Sequence, residues 1–96
     1  MNIYQLIEEK KEQIIKIAGK YGAHNVRIIG SVARREADTS SDLDLLVDIE
    51  KGRTLLDHAA LILDLEELLG CKVDVASDRG LRERIKARVL EEAIPL

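Results

Sequence analysis

The chain of 96 residues has no Phe, no Trp and only two tyrosines, Tyr4 and Tyr21. Whatever core it builds is therefore aliphatic, and its 46% hydrophobic content is enough for a compact one. There is a single cysteine, Cys71, so no internal disulfide can form. That suits a reducing compartment, and a cytoplasmic location is expected. Cys71 lies beside an expected strand and reads as packing rather than chemistry. No apolar run approaches the roughly 18–20 residues that span a bilayer. The polar, acidic start of the chain is unlike a secretory signal. Positive charge is not in excess either. A net charge of −3 and a pI near 5.4 argue against a dedicated nucleic-acid surface, but not against a nucleotide, whose charge arrives with its metal. Repeats, low-complexity tracts and interdomain linkers are also missing, so residues 1–96 are expected to form one domain.

What is present is a regular alternation of helical and strand patterns. Asn2 can cap a helix over residues 3–21, in which Ile3, Leu6, Ile7, Ile14, Ile17, Ala18 and Tyr21 recur at three- and four-residue steps. Gly19 and Gly22 mark its exit. Val26–Ile29 is a β-branched run and reads as a buried strand, with His24 in the loop before it. A short helical stretch is expected over residues 32–36. Asp42-Leu43-Asp44 leads into a second strand, Leu45–Ile49. After a turn at 50–53, Thr54 can cap a helix over Leu55–Leu69. Leu55, Leu56, Ala59, Ile62, Leu63 and Leu69 form its broad apolar face, while Leu61, Leu65 and Leu68 spread onto a second. A helix apolar nearly all round is buried on both sides or is waiting for a partner, and the small size of the chain favours a partner. Residues 72–76 read as a third strand. Ser77 or Asp78 can cap a last helix, Leu81–Ala93, with Leu81, Ile85, Val89 and Ala93 as its apolar stripe and Arg82, Arg84, Lys86 and Arg88 outside. Pro95 ends it. The expected order is α-β-α-β-α-β-α, an α/β (α+β) domain in which a small mixed three-stranded sheet is flanked by about four helices.

The chemistry is concentrated between Gly30 and Asp44. Gly30-Ser31 follows the first strand at once, and ten residues separate Ser31 from Asp42. On a strand, residues i and i+2 point to the same face, so Asp42 and Asp44 aim two carboxylates at one metal ion or a close pair of ions. Magnesium prefers a few carboxylates plus substrate phosphates. Gly30 lets backbone approach a phosphate, and Ser31 at a strand-to-helix turn offers a hydroxyl and free N–H groups to an anion. With Asp74 on a later strand, these residues would hold a metal-bound nucleoside triphosphate. A calcium loop starting at Asp38 fails, because Leu43 stands where an EF-hand needs Gly and Ile49 where it needs Glu.

These residues resemble those of the minimal nucleotidyltransferases of the polymerase-β-like superfamily. In that family a hydrophobic strand, Gly-Ser, a spacer of about ten residues, Asp-x-Asp and a third acidic residue recur. Gly30, Ser31, Asp42, Asp44 and Asp74 fill those positions. The wider segments Gly30–Ala37 and Ser41–Val47 fit as well, and the resemblance covers essentially the whole chain. It implies the polymerase-β-like fold, two Mg²⁺ ions and ATP as substrate. Asp42 and Asp44 would hold both ions. Asp74 would hold the one that activates the acceptor hydroxyl. Gly30, Ser31 and Arg34 would bind the nucleotide, with Arg34 or Arg35 at the leaving pyrophosphate. The family implies transfer of AMP to a tyrosine of a HEPN ribonuclease toxin, which the enzyme thereby silences as its antitoxin. A hetero-oligomer with that partner is expected, and a homodimer is compatible. The competing expectation is a non-catalytic antitoxin that neutralises the partner by covering it. Arg35 is a departure, since the family usually has Gly there.

Overall fold

The computed structural model describes residues 2–38 and 42–96. Residues 39–41, which include Ser41 of the family-like segment, lie outside the described part. The elements are α1 (Ile3–Lys20), β1 (Ala23–Ile29), α2 (Gly30–Ala33), β2 (Leu43–Ile49), α3 (Leu55–Leu69), β3 (Val73–Ser77), α4 (Glu83–Glu92) and β4 (Ile94–Pro95). They form a mixed α+β fold with the strand order β3-β2-β1-β4. β2 and β3 run parallel, and β1 is antiparallel to both of its neighbours, β2 and β4.

Helix ends are set by side chains. Asn2 accepts from the Gln5 N–H at 2.9 Å while Gln5 reaches back to the Asn2 N–H. Thr54 and Asp57 form the same reciprocal pair at the start of α3. Gly70, at φ 68, ends α3 in the left-handed conformation that glycine adopts most readily.

One face of the sheet carries the core. Ile7, Ile14 and Ala18 of α1 and Leu61, Leu65 and Leu69 of α3 pack on Val26, Ile28, Leu43, Leu45, Val47, Val73 and Val75. The alternation in β2 and β3 then sends Asp44, Leu46, Asp74 and Ala76 to the other face. Arg27 and Ile29 of β1 join them there as the pair partners of Leu46 and Asp44. β3 and β4 are parallel, and α4 on the connection between them returns to α2, where Glu92 meets Arg34. Leu46 is fully buried on this second face.

Several details differ from the sequence reading. The sheet has four strands rather than three, because the chain stays extended after Ala93 and Ile94 and Pro95 pair with Ile28 and Arg27. Proline is tolerated there because β4 is an edge. β1 begins at Ala23 and contains His24, which pairs with Asp48 of β2 and so is a strand residue, its ring meeting the Glu50 carboxylate at 2.6 Å. α2 occupies Gly30–Ala33 instead of 32–36, because Arg35 turns to φ 62. α4 starts at Glu83, since Ser77 caps a 3₁₀ turn over Asp78–Gly80 first. The stripe of α4 is not buried. In α3 the core row is Leu61, Leu65 and Leu69, whereas Leu55, Leu56 and Leu63 of the expected broad face are exposed.

Leu65 and Leu63 therefore separate the two faces. Leu65→Ala is expected to cost about 3 kcal/mol of stability, and Leu63→Ala less than about 0.5 kcal/mol. Urea unfolding at low protein concentration measures both.

Candidate functional site

The pairing of β1 with β2 sets Ile29 opposite Asp44, which brings Gly30 to the carboxylate. Gly30 has φ +75, and a Cβ built there would run into Asp44 Oδ2. Glycine is thus required twice, by backbone conformation and by space. Ser31 is half-buried in the single turn of α2. The first turn of a helix leaves its N–H groups without intrahelical acceptors, and α2 consists only of that turn.

Asp74 is the parallel-register partner of Asp44, so the two side chains share one face of adjacent strands. Asp42 is exposed immediately before β2. The charges of Asp42 and Asp74 act on Asp44. The Asp44 pKa is raised, first by burial and then by the charges of Asp74 and Asp42, while Arg34 opposes the shift. Asp42 also reaches Cys71, whose thiol is pushed up by burial and by the Asp42 and Glu66 charges. Ile29, Asp44, Asp74, Val75 and Ala76 line a shallow open depression. Among the described residues no three His, Cys, Asp or Glu side chains stand in a ready-made metal arrangement. Mutual repulsion of like charges favours that spread. The donor set itself is hard oxygen beside a cradle that only glycine leaves open, which fits a divalent cation completed by phosphate oxygens.

Arg34 caps α2. Its guanidinium donates to Glu36 at 3.0 Å and to Glu92 of α4 at 3.2 Å. Both contacts raise its pKa, and its charge still favours ionised Asp44. Glu36 and Glu92 were not among the sequence candidates. Glu92 lies so far along the chain that only the return of α4 to α2 reveals it. Arg35 points elsewhere: its guanidinium stacks on the Tyr4 ring, 4.6 Å from the centroid. Its φ of 62 explains why glycine suits this position.

The fold is that of a nucleotidyltransferase. A model of the nucleotidyltransferase domain matches residues 7–96, and the chain belongs to that family. Within it, the chain is a minimal nucleotidyltransferase. A solved "putative minimal nucleotidyltransferase" is 53% identical, with a TM-score of 0.89, over 100% of this chain and 97% of that one. The Methanocaldococcus jannaschii protein named "Putative protein adenylyltransferase MJ0435" is 42% identical over 92% of this chain and 95% of its own length. The protein adenylyltransferase MntA of Thermococcus cleftensis is 36% identical over 93% of this chain and 86% of its own. A toxin–antitoxin crystal structure with AMP-PNP shares the fold at a TM-score of 0.76 and 18% identity, over 88% of this chain and 70% of that one. Among the described residues no helix is long and apolar enough to cross a membrane.

The raised Asp44 pKa has a stability consequence. The folded state holds the Asp44 proton more tightly than the unfolded chain does. Its contribution is therefore full below the ordinary aspartate pKa of about 3.9 and is lost as pH rises through the folded value. Asp44→Asn should accordingly stabilise the metal-free protein at pH 7, and this gain should vanish below about pH 4. Thermal unfolding across pH 3–8 in EDTA checks the sign. At the neighbouring turn, Arg35→Gly relieves left-handed strain and loses the Tyr4 stack, effects of about 1 kcal/mol each, so urea unfolding should show little net change.

Proposed function

We propose that this chain transfers AMP from ATP, with Mg²⁺, to a tyrosine hydroxyl of a HEPN-type ribonuclease toxin, and acts as that toxin's antitoxin in the cytoplasm. The observation that carries the reading is the pairing of Asp44 with Asp74 beside Gly30, within reach of the Asp42 charge. The names of the relatives, protein adenylyltransferases among them, support the nature of the group transferred.

In this reading Asp42 and Asp44 would hold both metal ions, and Asp74 would help hold the one on the acceptor side. The bound cations would neutralise charge at the phosphates and lower the pKa of the acceptor hydroxyl. The chain's own residues do the rest. Gly30 and Ser31 admit and bind the β- and γ-phosphates. Arg34, released from Glu36 or Glu92, meets the charge that builds on pyrophosphate. Asp74 accepts the tyrosine proton as the phenolic oxygen forms its bond to the α-phosphorus. The bond from that phosphorus to pyrophosphate breaks, and pyrophosphate leaves. With no Phe or Trp in the chain, the base would rest on aliphatic contacts or a tyrosine.

Asp42→Asn and Asp44→Asn should each reduce transfer at least about a hundredfold. Both should still fold and bind the partner. Intact-mass spectrometry of the toxin, incubated with the protein, Mg²⁺ and ATP, reads the added AMP. A toxin that is bound and inhibited with unchanged mass, with each of the four common nucleoside triphosphates, would show neutralisation by complex formation alone.

A further inference from the structure

Helix α3 presents a row that the core leaves uncovered. Leu55 is 86% exposed, Leu56 82% and Leu63 64%. Ala59 is exposed between them, and Ala60 is half-buried. Leu56, Ala59, Ala60, Leu63 and Glu67 follow one another at the spacing of a single helical face. Leucines scattered singly over a surface need no explanation, but a contiguous row marks an interaction site.

The two ends of the row carry opposite charge. Lys51 lies in the turn before α3 and Glu67 in its last turns, and neither has an ion pair among the described residues. The neighbouring charges are engaged. Arg53 pairs with Glu50 and Asp57. Asp64 accepts from the Tyr21 hydroxyl, and Glu66 from the Val73 N–H.

We propose that this face binds a second copy of the same chain, as an antiparallel α3–α3 pair about a twofold axis. An axis between Ala59 and Ala60 sets Leu56 opposite Leu63 of the other copy, twice. The two alanines at the crossing let the backbones approach. Glu67 then lies about 11 Å from the axis, beside the other copy's Lys51 on its long stem. A parallel pair would set Lys51 against Lys51 and Glu67 against Glu67. A foreign acidic or basic helix would satisfy only one end. The self-complementary arrangement satisfies both and is the isologous kind that closes at a dimer. One helix face is smaller than the usual interface of about 800 Å² per partner, so the association is expected to be micromolar or weaker. The surface lies across the sheet from Asp44 and Asp74, and the inference does not rest on the proposed activity.

Sedimentation equilibrium from about 10 μM to about 1 mM tests it. The wild-type mass should rise towards twice the monomer. Asp44→Asn should associate like wild type, and Leu56→Glu with Leu63→Glu should stay monomeric with unchanged helical circular dichroism. Lys51→Glu and Glu67→Lys should each weaken the dimer about tenfold, because the symmetric interface contains each pair twice. The double charge reversal should restore it to within about threefold. A wild-type chain that stays monomeric to about 1 mM overturns the proposal. So does a dimer that survives the leucine replacements, or a charge-reversed pair no tighter than either single variant.

Discussion

The close approach of Gly30 to Asp44 is the constraint on which the rest depends. A carboxylate held against a glycine at the end of one strand fixes how β1 lies on β2. That pairing decides which face of the sheet carries Arg27, Ile29, Asp44 and Leu46, and which carries Val26, Ile28, Leu43 and Leu45. The parallel pairing of β2 with β3 extends the same division to Asp74 and Val73. The hydrophobic face is therefore also what aims the polar one.

The charge balance of that polar face is unfavourable without a cation. Burial and two neighbouring aspartates make ionised Asp44 costly, and Arg34, whose charge opposes this, is already shared between Glu36 and Glu92. Such a group of like charges is a common mark of a site built for a partner of opposite sign. Arg34 is held by α2 on one side and α4 on the other. The last helix of the chain, which contributes nothing fully buried, thus acts on the site through Glu92.

Much of this was legible in the sequence because period and spacing are local. Ile7, Ile14 and Ala18 announce the buried face of α1 by themselves, and Asn2, Thr54 and Gly70 announce helix ends through their own side-chain chemistry. Asp44 was legible as a strand residue, whereas Asp42, expected on the same strand, stands just before β2 begins at Leu43. What could not be read depends on contacts between distant segments. In α3 the leucines are so many that periodicity alone selects no single face, and only packing against α1 and the sheet picks Leu61, Leu65 and Leu69. β4 is two residues long and carries a proline, so nothing but its pairing with β1 defines it. Arg35 is a cation in sequence, yet its left-handed backbone and the Tyr4 ring send it away from the aspartates. His24 reads as loop until its pairing with Asp48 on β2 is seen.

The facing of Asp44 by Asp74 across two parallel strands makes the site a matter of parity. Either loop around α3, residues 50–54 or 70–72, could lengthen without disturbing it, because the strands would still meet in step. A single residue gained or lost inside β3 would do the opposite. It would turn the carboxylate inward among the leucines and push Val73 or Val75 out into water. The same slip that empties the site opens the core. Register in β3 is therefore guarded by the core, because the carboxylate face and the leucine face cannot be shifted separately.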